Sequence, residues 1–99
     1  MSDFQTIQPG QFSVSGSLTF ESVPAVWQQA RKLLLDVYEE EVEIDIASVA
    51  TFDSSGIALL VAWSRWAHCN NKALTFINPN HQALQLIEIN KLQDVLEIK

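Results

Sequence analysis

Val42-Glu43-Ile44-Asp45-Ile46-Ala47-Ser48-Val49, followed by Phe52-Asp53-Ser54-Ser55-Gly56-Ile57-Ala58-Leu59-Leu60, is the stretch whose reading decides the fold. Val42, Ile44 and Ile46 alternate with Glu43 and Asp45, the period of a strand with one buried face. Beyond Gly56 the period changes. Leu59, Leu60, Trp63, Trp66 and Ala67 project to one side of a helix, and Ser64, Arg65 and His68 to the other. Asp53-Ser54-Ser55-Gly56 therefore sits in a strand-to-helix loop and opens the helix.

That position gives the tetrapeptide its chemistry. Asp or Ser at a helix start accepts hydrogen bonds from the unpaired first-turn N–H groups, and a glycine lets another backbone come close. A phosphate on the hydroxyl of Ser54 or Ser55 would be favoured by the same N–H groups and by the helix dipole. Equally, one serine of such a tetrapeptide can simply cap the helix. Ile57 and Val61 fall on or near the polar side, close to the motif. Such apolar residues either mark a docking surface or pack under a loop. Read as a surface, Asp53, Ser54, Ser55, Gly56, Ile57, Val61 and Arg65 form one partner-facing patch.

Upstream, Pro9-Gly10 marks a turn after a short segment around Phe4 to Ile7. Phe12, Val14, Gly16 and Leu18 then alternate with polar residues, as in a half-buried strand. Ser22 with Pro24 reads as a helix start, and Val23, Val26, Trp27, Ala30, Leu33, Leu34, Val37 and Tyr38 repeat on one side of that helix. Downstream, Leu74 to Ile77 is a strand closed by Asn78-Pro79-Asn80. His81 to Ile89 fits a short helix with Ala83, Leu84 and Ile87 inward, and Val95 to Ile98 supplies a further strand. The order strand, strand, helix, strand, helix, strand, helix, strand predicts an α/β fold: a single domain over 1–99, with a mixed sheet, helices packed on it and right-handed crossovers.

Composition narrows the function. Six basic against twelve acidic residues give a net charge of −6, the wrong footprint for a nucleic acid. Glu39, Glu40, Glu41 and Glu43 concentrate part of that charge in what reads as a solvated turn. The single cysteine, Cys69, excludes an internal disulfide, and Met1-Ser2-Asp3-Phe4 lacks the basic and apolar regions of a secretory signal, so the cytoplasm is expected. The longest unbroken apolar run, Ile57 to Trp63, falls far short of the roughly 20 residues that span a bilayer, so membrane association would come through a partner.

Catalytic equipment is not evident. The chain has neither the G-x-x-x-x-G-K-[ST] nor the G-x-G-x-x-G loop that cradles phosphates, and Gly56 follows Ser55 without the preceding glycine of a hydrolase elbow. His68-Cys69 stands without the clustered ligands a metal needs, so no metal or cofactor is expected. Trp27, Trp63 and Trp66 lie at helical spacing in apolar stripes and read as core. What remains is a small acidic domain that binds something.

The strand, the spacer and the D-S-S-G together resemble the signature of STAS domains, shared by sulfate transporters and anti-sigma-factor antagonists. Ser15-Gly16-Ser17-Leu18 before a helix and the downstream strand and helix fall in the order that family implies. Among antagonists, phosphorylation of the hydroxyl matching Ser55 switches off binding to an anti-sigma kinase. The G-x-L-D pattern usual there is replaced by Gly16-Ser17-Leu18-Thr19. Leu18-Thr19-Phe20 and Ser22-Val23-Pro24, leading to Val26-Trp27, instead resemble the MlaB-like STAS subunit of the Mla phospholipid transporter. That resemblance implies a non-catalytic subunit in the cytoplasm, peripheral to the inner membrane, bound to the ATPase of an ABC transporter that maintains outer-membrane lipid asymmetry. Its key hydroxyl is the one after Asp, here Ser54. The anti-sigma-factor antagonist switched at Ser55 is the alternative.

Overall fold

Gly10 adopts a φ of 79°, a conformation few residues but glycine take readily, and so turns the chain between β1 (Asp3–Gln8) and β2 (Gln11–Leu18), which pair antiparallel. The computed structural model describes residues 2–99. Every later strand joins the sheet beside its predecessor and parallel to it. β3 (Glu41–Phe52) lies on β2, β4 (Ala73–Ile77) on β3 and β5 (Glu97–Ile98) on β4. The crossings are made by α1 (Val23–Leu34), α2 (Ser54–Cys69) and α3 (His81–Ile89). Crossovers of one hand that always step in the same direction put α1, α2 and α3 on one face, where α1 packs on α2 and α2 on α3.

Burial follows that arrangement. Phe12, Val14, Leu18, Val42, Ile44, Ile46, Leu74 and Phe76 are buried, whereas the alternate positions Gln11, Ser13, Glu43, Asp45 and Thr75 are only half-covered. The domain is thus two layers, 32 × 30 × 19 Å, with one polar sheet face left bare. An aromatic seam joins the layers. The ring centroids of Phe4 and Phe12 lie 5.2 Å apart, those of Phe4 and Trp63 5.3 Å, and those of Trp63 and Phe76 6.5 Å. Trp63 is fully enclosed and its indole Nε1 has no hydrogen-bond partner.

The mixed sheet and the order of elements are as the sequence predicts, but several boundaries move. The expected loop after Ile46 is strand: β3 continues to Phe52, pairing Ser48 with Ser15, Val49 with Gly16, Thr51 with Ser17 and Phe52 with Leu18. Two register shifts in the β2–β3 ladder, flanking Ser15 and Gly16, change the buried spacing from every second residue to Ile46, Val49, Phe52. Gly16, at φ 88°, takes up one of these irregularities.

Helix α1 stops at Leu34. The N–H groups of Asp36 and Val37 bond to the Leu33 and Leu34 carbonyls as the helix tightens and unwinds, so Tyr38 leaves the expected stripe and is 92% exposed. Ser22 precedes α1 without capping it through its side chain, because its hydroxyl is engaged in the preceding turn. In α3, Ala83 and Ile87 face inward, but Leu84, about 100° further round, stays exposed. Val95 is also exposed, since it lies in the turn before the two residues of β5 and only Leu96 tucks under.

Candidate functional site

The junction between β3 and α2 is a single extended residue, Asp53, at φ −128° and ψ −170°. Its carboxylate is the helix cap. Oδ1 accepts hydrogen bonds from the N–H groups of Ser55 at 2.8 Å and Gly56 at 3.2 Å. Oδ2 reaches across to the turn after β2 and accepts one from the Phe20 N–H at 2.9 Å. The Asp53 N–H donates to the Leu18 carbonyl at 3.2 Å, and the Gln82 side chain at the start of α3 accepts from the Phe52 N–H at 3.0 Å. One carboxylate therefore ties the β2–α1 turn to the start of α2.

Those bonds stabilise the charged carboxylate. The Phe20 N–H does most to hold the Asp53 carboxyl below the usual carboxylate range; partial burial pushes the other way, and the Gly56 and Ser55 N–H groups add to the lowering.

The glycine has an internal role. A Cβ at Gly56 would run into the Leu18 carbonyl oxygen and lie 2.9 Å from the Leu18 Cβ. The backbone that comes close here is thus the protein's own strand β2. Helix α2 is wedged against the end of that strand, and only glycine permits the wedge.

The seven expected patch residues divide. Ser54 and Arg65 are exposed, and Asp53, Ser55 and Val61 half-buried. At 100° per residue Ser54, Val61 and Arg65 fall within about 20° of one line along α2, with exposed Ala58 beside them. Ile57 does not belong to that surface. It is 3% exposed and packs in the core, as buried Gly56 does beside it, because the first turn of α2 abuts the end of strand β2 at Leu18. Val61 also leans partly on the core. The capping serine of the simplest sequence reading is replaced by Asp53, which leaves Ser54 and Ser55 at the first two helical positions. Two first-turn N–H groups that could have faced a phosphate are already bonded to a carboxylate.

Phe20 is the residue that sequence reasoning missed as part of this site. It projects from the turn beside Asp53 with 78% of its surface exposed. The available signal was its position within Leu18-Thr19-Phe20, outside every apolar period. Among the described residues no group of three or more His, Cys, Asp and Glu could hold a metal ion, and no helix is long and apolar enough to cross a membrane.

A family model described as "Mlab, STAS domain" matches residues 4–97. No curated protein sequence matches the chain. Among solved structures, the chain is similar to the anti-sigma factor antagonist SpoIIAA in its unphosphorylated form, with a TM-score of 0.71, 11% identity, and 100% of this chain and 87% of the other covered. It is also similar to a candidate anti-sigma factor antagonist of Thermotoga maritima, with a TM-score of 0.80, 12% identity, and 96% and 82% covered. The Bacillus cell fate determinant SpoIIAA in phosphorylated form gives 0.70, 12% identity, and 100% and 91% covered. At these identities the likeness is one of fold.

Proposed function

This chain belongs to the MlaB-type STAS domain family, and from that membership we propose that it is the non-catalytic cytoplasmic STAS subunit of an Mla-type phospholipid ABC transporter, bound to the transporter's ATPase. The match over residues 4–97 carries the reading, because it covers strand, turn, motif and helices together rather than the D-S-S-G alone. The site is in keeping with it. Ser54, the hydroxyl proposed for the ATPase contact, is exposed at the first position of α2, next to a turn carrying an exposed Phe20. Interfaces gain most from aromatic anchors surrounded by smaller polar contacts, and that is the composition of this corner.

The experiment is co-purification with the cognate ATPase subunit, followed by its ATPase rate with and without this chain. Stable association and a more stable or more active ATPase are expected, with no hydrolysis by this chain alone. Capture of an anti-sigma kinase in place of the ATPase would overturn the reading.

The anti-sigma-factor antagonist is kept as a second reading on one observation: the solved structures of the same fold carry that description. In that case Ser55 would be the phosphorylated residue. Ser55 is half-buried, with its N–H bonded to Asp53, so a phosphate there would add roughly −1.5 to −2 charge close to an existing carboxylate.

A further inference from the structure

The chain between β2 and α1 is a tightly fastened turn. The Ser22 N–H donates to the Thr19 carbonyl at 3.0 Å, which leaves Phe20 and Glu21 at the two central positions. The Ser22 hydroxyl accepts from the Thr19 N–H at 2.9 Å and donates to the Ser17 carbonyl at 2.6 Å. The Phe20 N–H is held by Asp53 Oδ2 at 2.9 Å. Turn chemistry favours Pro, Asp, Asn, Ser or Gly at such positions and gives no local reason for phenylalanine.

Isolated exposed apolar residues are ordinary, and Ile7, Leu35, Tyr38, Leu84, Ile89 and Val95 are further examples here. What separates Phe20 from them is its fastening to the motif: its backbone is bonded to the same carboxylate that caps α2. An aromatic ring presented on a fixed backbone loses little freedom on docking, which is the property of an interface anchor.

We propose that Phe20 is the apolar anchor of the contact with the ATPase subunit, and that Asp53 is the positioning residue that presents it. The socket it enters on the partner is apolar and rimmed by basic side chains, since Glu21 beside it is exposed and the whole chain carries a net charge of −6. The inference rests on the transporter reading for the identity of the occupant and adds to it the residue that makes the contact.

The test is titration calorimetry of the purified chain against the cognate ATPase subunit, with wild type, Phe20→Ala, Asp53→Asn and the double variant. Phe20→Ala is expected to weaken binding roughly 30-fold or more, with an unchanged unfolding midpoint because the ring is already in solvent. Asp53→Asn retains an oxygen to cap α2 but sets an amide NH2 against the Phe20 N–H, so binding falls through loss of presentation. The double variant should bind no more weakly than Phe20→Ala alone.

Wild type that binds alongside a Phe20→Ala variant that binds equally well overturns the anchor and leaves the transporter reading standing. If Asp53→Asn costs as much in the Phe20→Ala background as in wild type, the positioning role is overturned. Wild type that does not bind the ATPase at all refutes the transporter reading, and with it this occupant.

Discussion

Replacing Gly56 by alanine is the sharpest test of how α2 meets the sheet. The added methyl would collide with the Leu18 carbonyl, a backbone group fixed in the β2–β3 ladder through the pairing of Leu18 with Phe52, so no side chain can swing aside. Overpacking a well-filled site costs typically 1–3 kcal/mol, and a backbone obstacle places this case near the top of that range. Alanine recovers up to about 1 kcal/mol through its better helix propensity. The net expectation is a loss of about 2 kcal/mol. For a domain of this size each kcal/mol moves the midpoint by about 4–8 °C, so calorimetry or circular dichroism should record a fall of about 8–16 °C. Ala58→Gly, on the exposed side of the same helix, is the control and should lose about 1 kcal/mol through propensity alone. A Gly56→Ala midpoint equal to or above wild type would mean that α2 can lift off Leu18 freely and that the close Gly56–Leu18 approach does not seat the helix.

Ile57→Asp should fail to fold or lose more than about 3 kcal/mol, because it places an unpaired carboxylate in the core; a folded variant with normal stability would return Ile57 to the surface. The Asp53 carboxyl is held low in the folded chain, so its contribution to stability is complete above the ordinary carboxylate range and is lost as pH falls through the folded value. Asp53→Asn should therefore flatten the acid side of a urea-midpoint against pH curve, and an unchanged curve would remove the linkage. Ser54→Ala should weaken ATPase binding more than Ser55→Ala does, with little effect on stability for the exposed Ser54. Stoichiometric phosphate on Ser55, found by mass spectrometry after incubation with the native partner and ATP, would reverse that order.

The regular parts of the fold were legible because periodic burial writes itself into the sequence. Val42, Ile44 and Ile46 alternate, Leu59, Leu60 and Trp63 repeat helically, and all are buried where those periods put them. The second half of β3 was not legible, since the irregular pairing beside Ser15 and Gly16 shifts the buried positions to Val49 and Phe52 and destroys the alternation. Ile57 misled for a different reason. A helical wheel assumes that only one side of a helix is covered, whereas the first turn of α2 also abuts the end of β2 at Leu18. Phe20 carries no periodic signal, and its place in the site follows from a bond between residues 33 positions apart, which local pattern does not encode.

The neighbour-by-neighbour strand order has a consequence for how the chain comes into being. Each strand pairs with the one synthesised just before it, so no strand has to wait for a partner that has not yet left the ribosome. The β1–β2 hairpin can close first, and each following helix and strand then add to an edge already present. Assembly in this direction leaves only one growing edge at any moment, which limits the time that unpaired strand is available to other nascent chains.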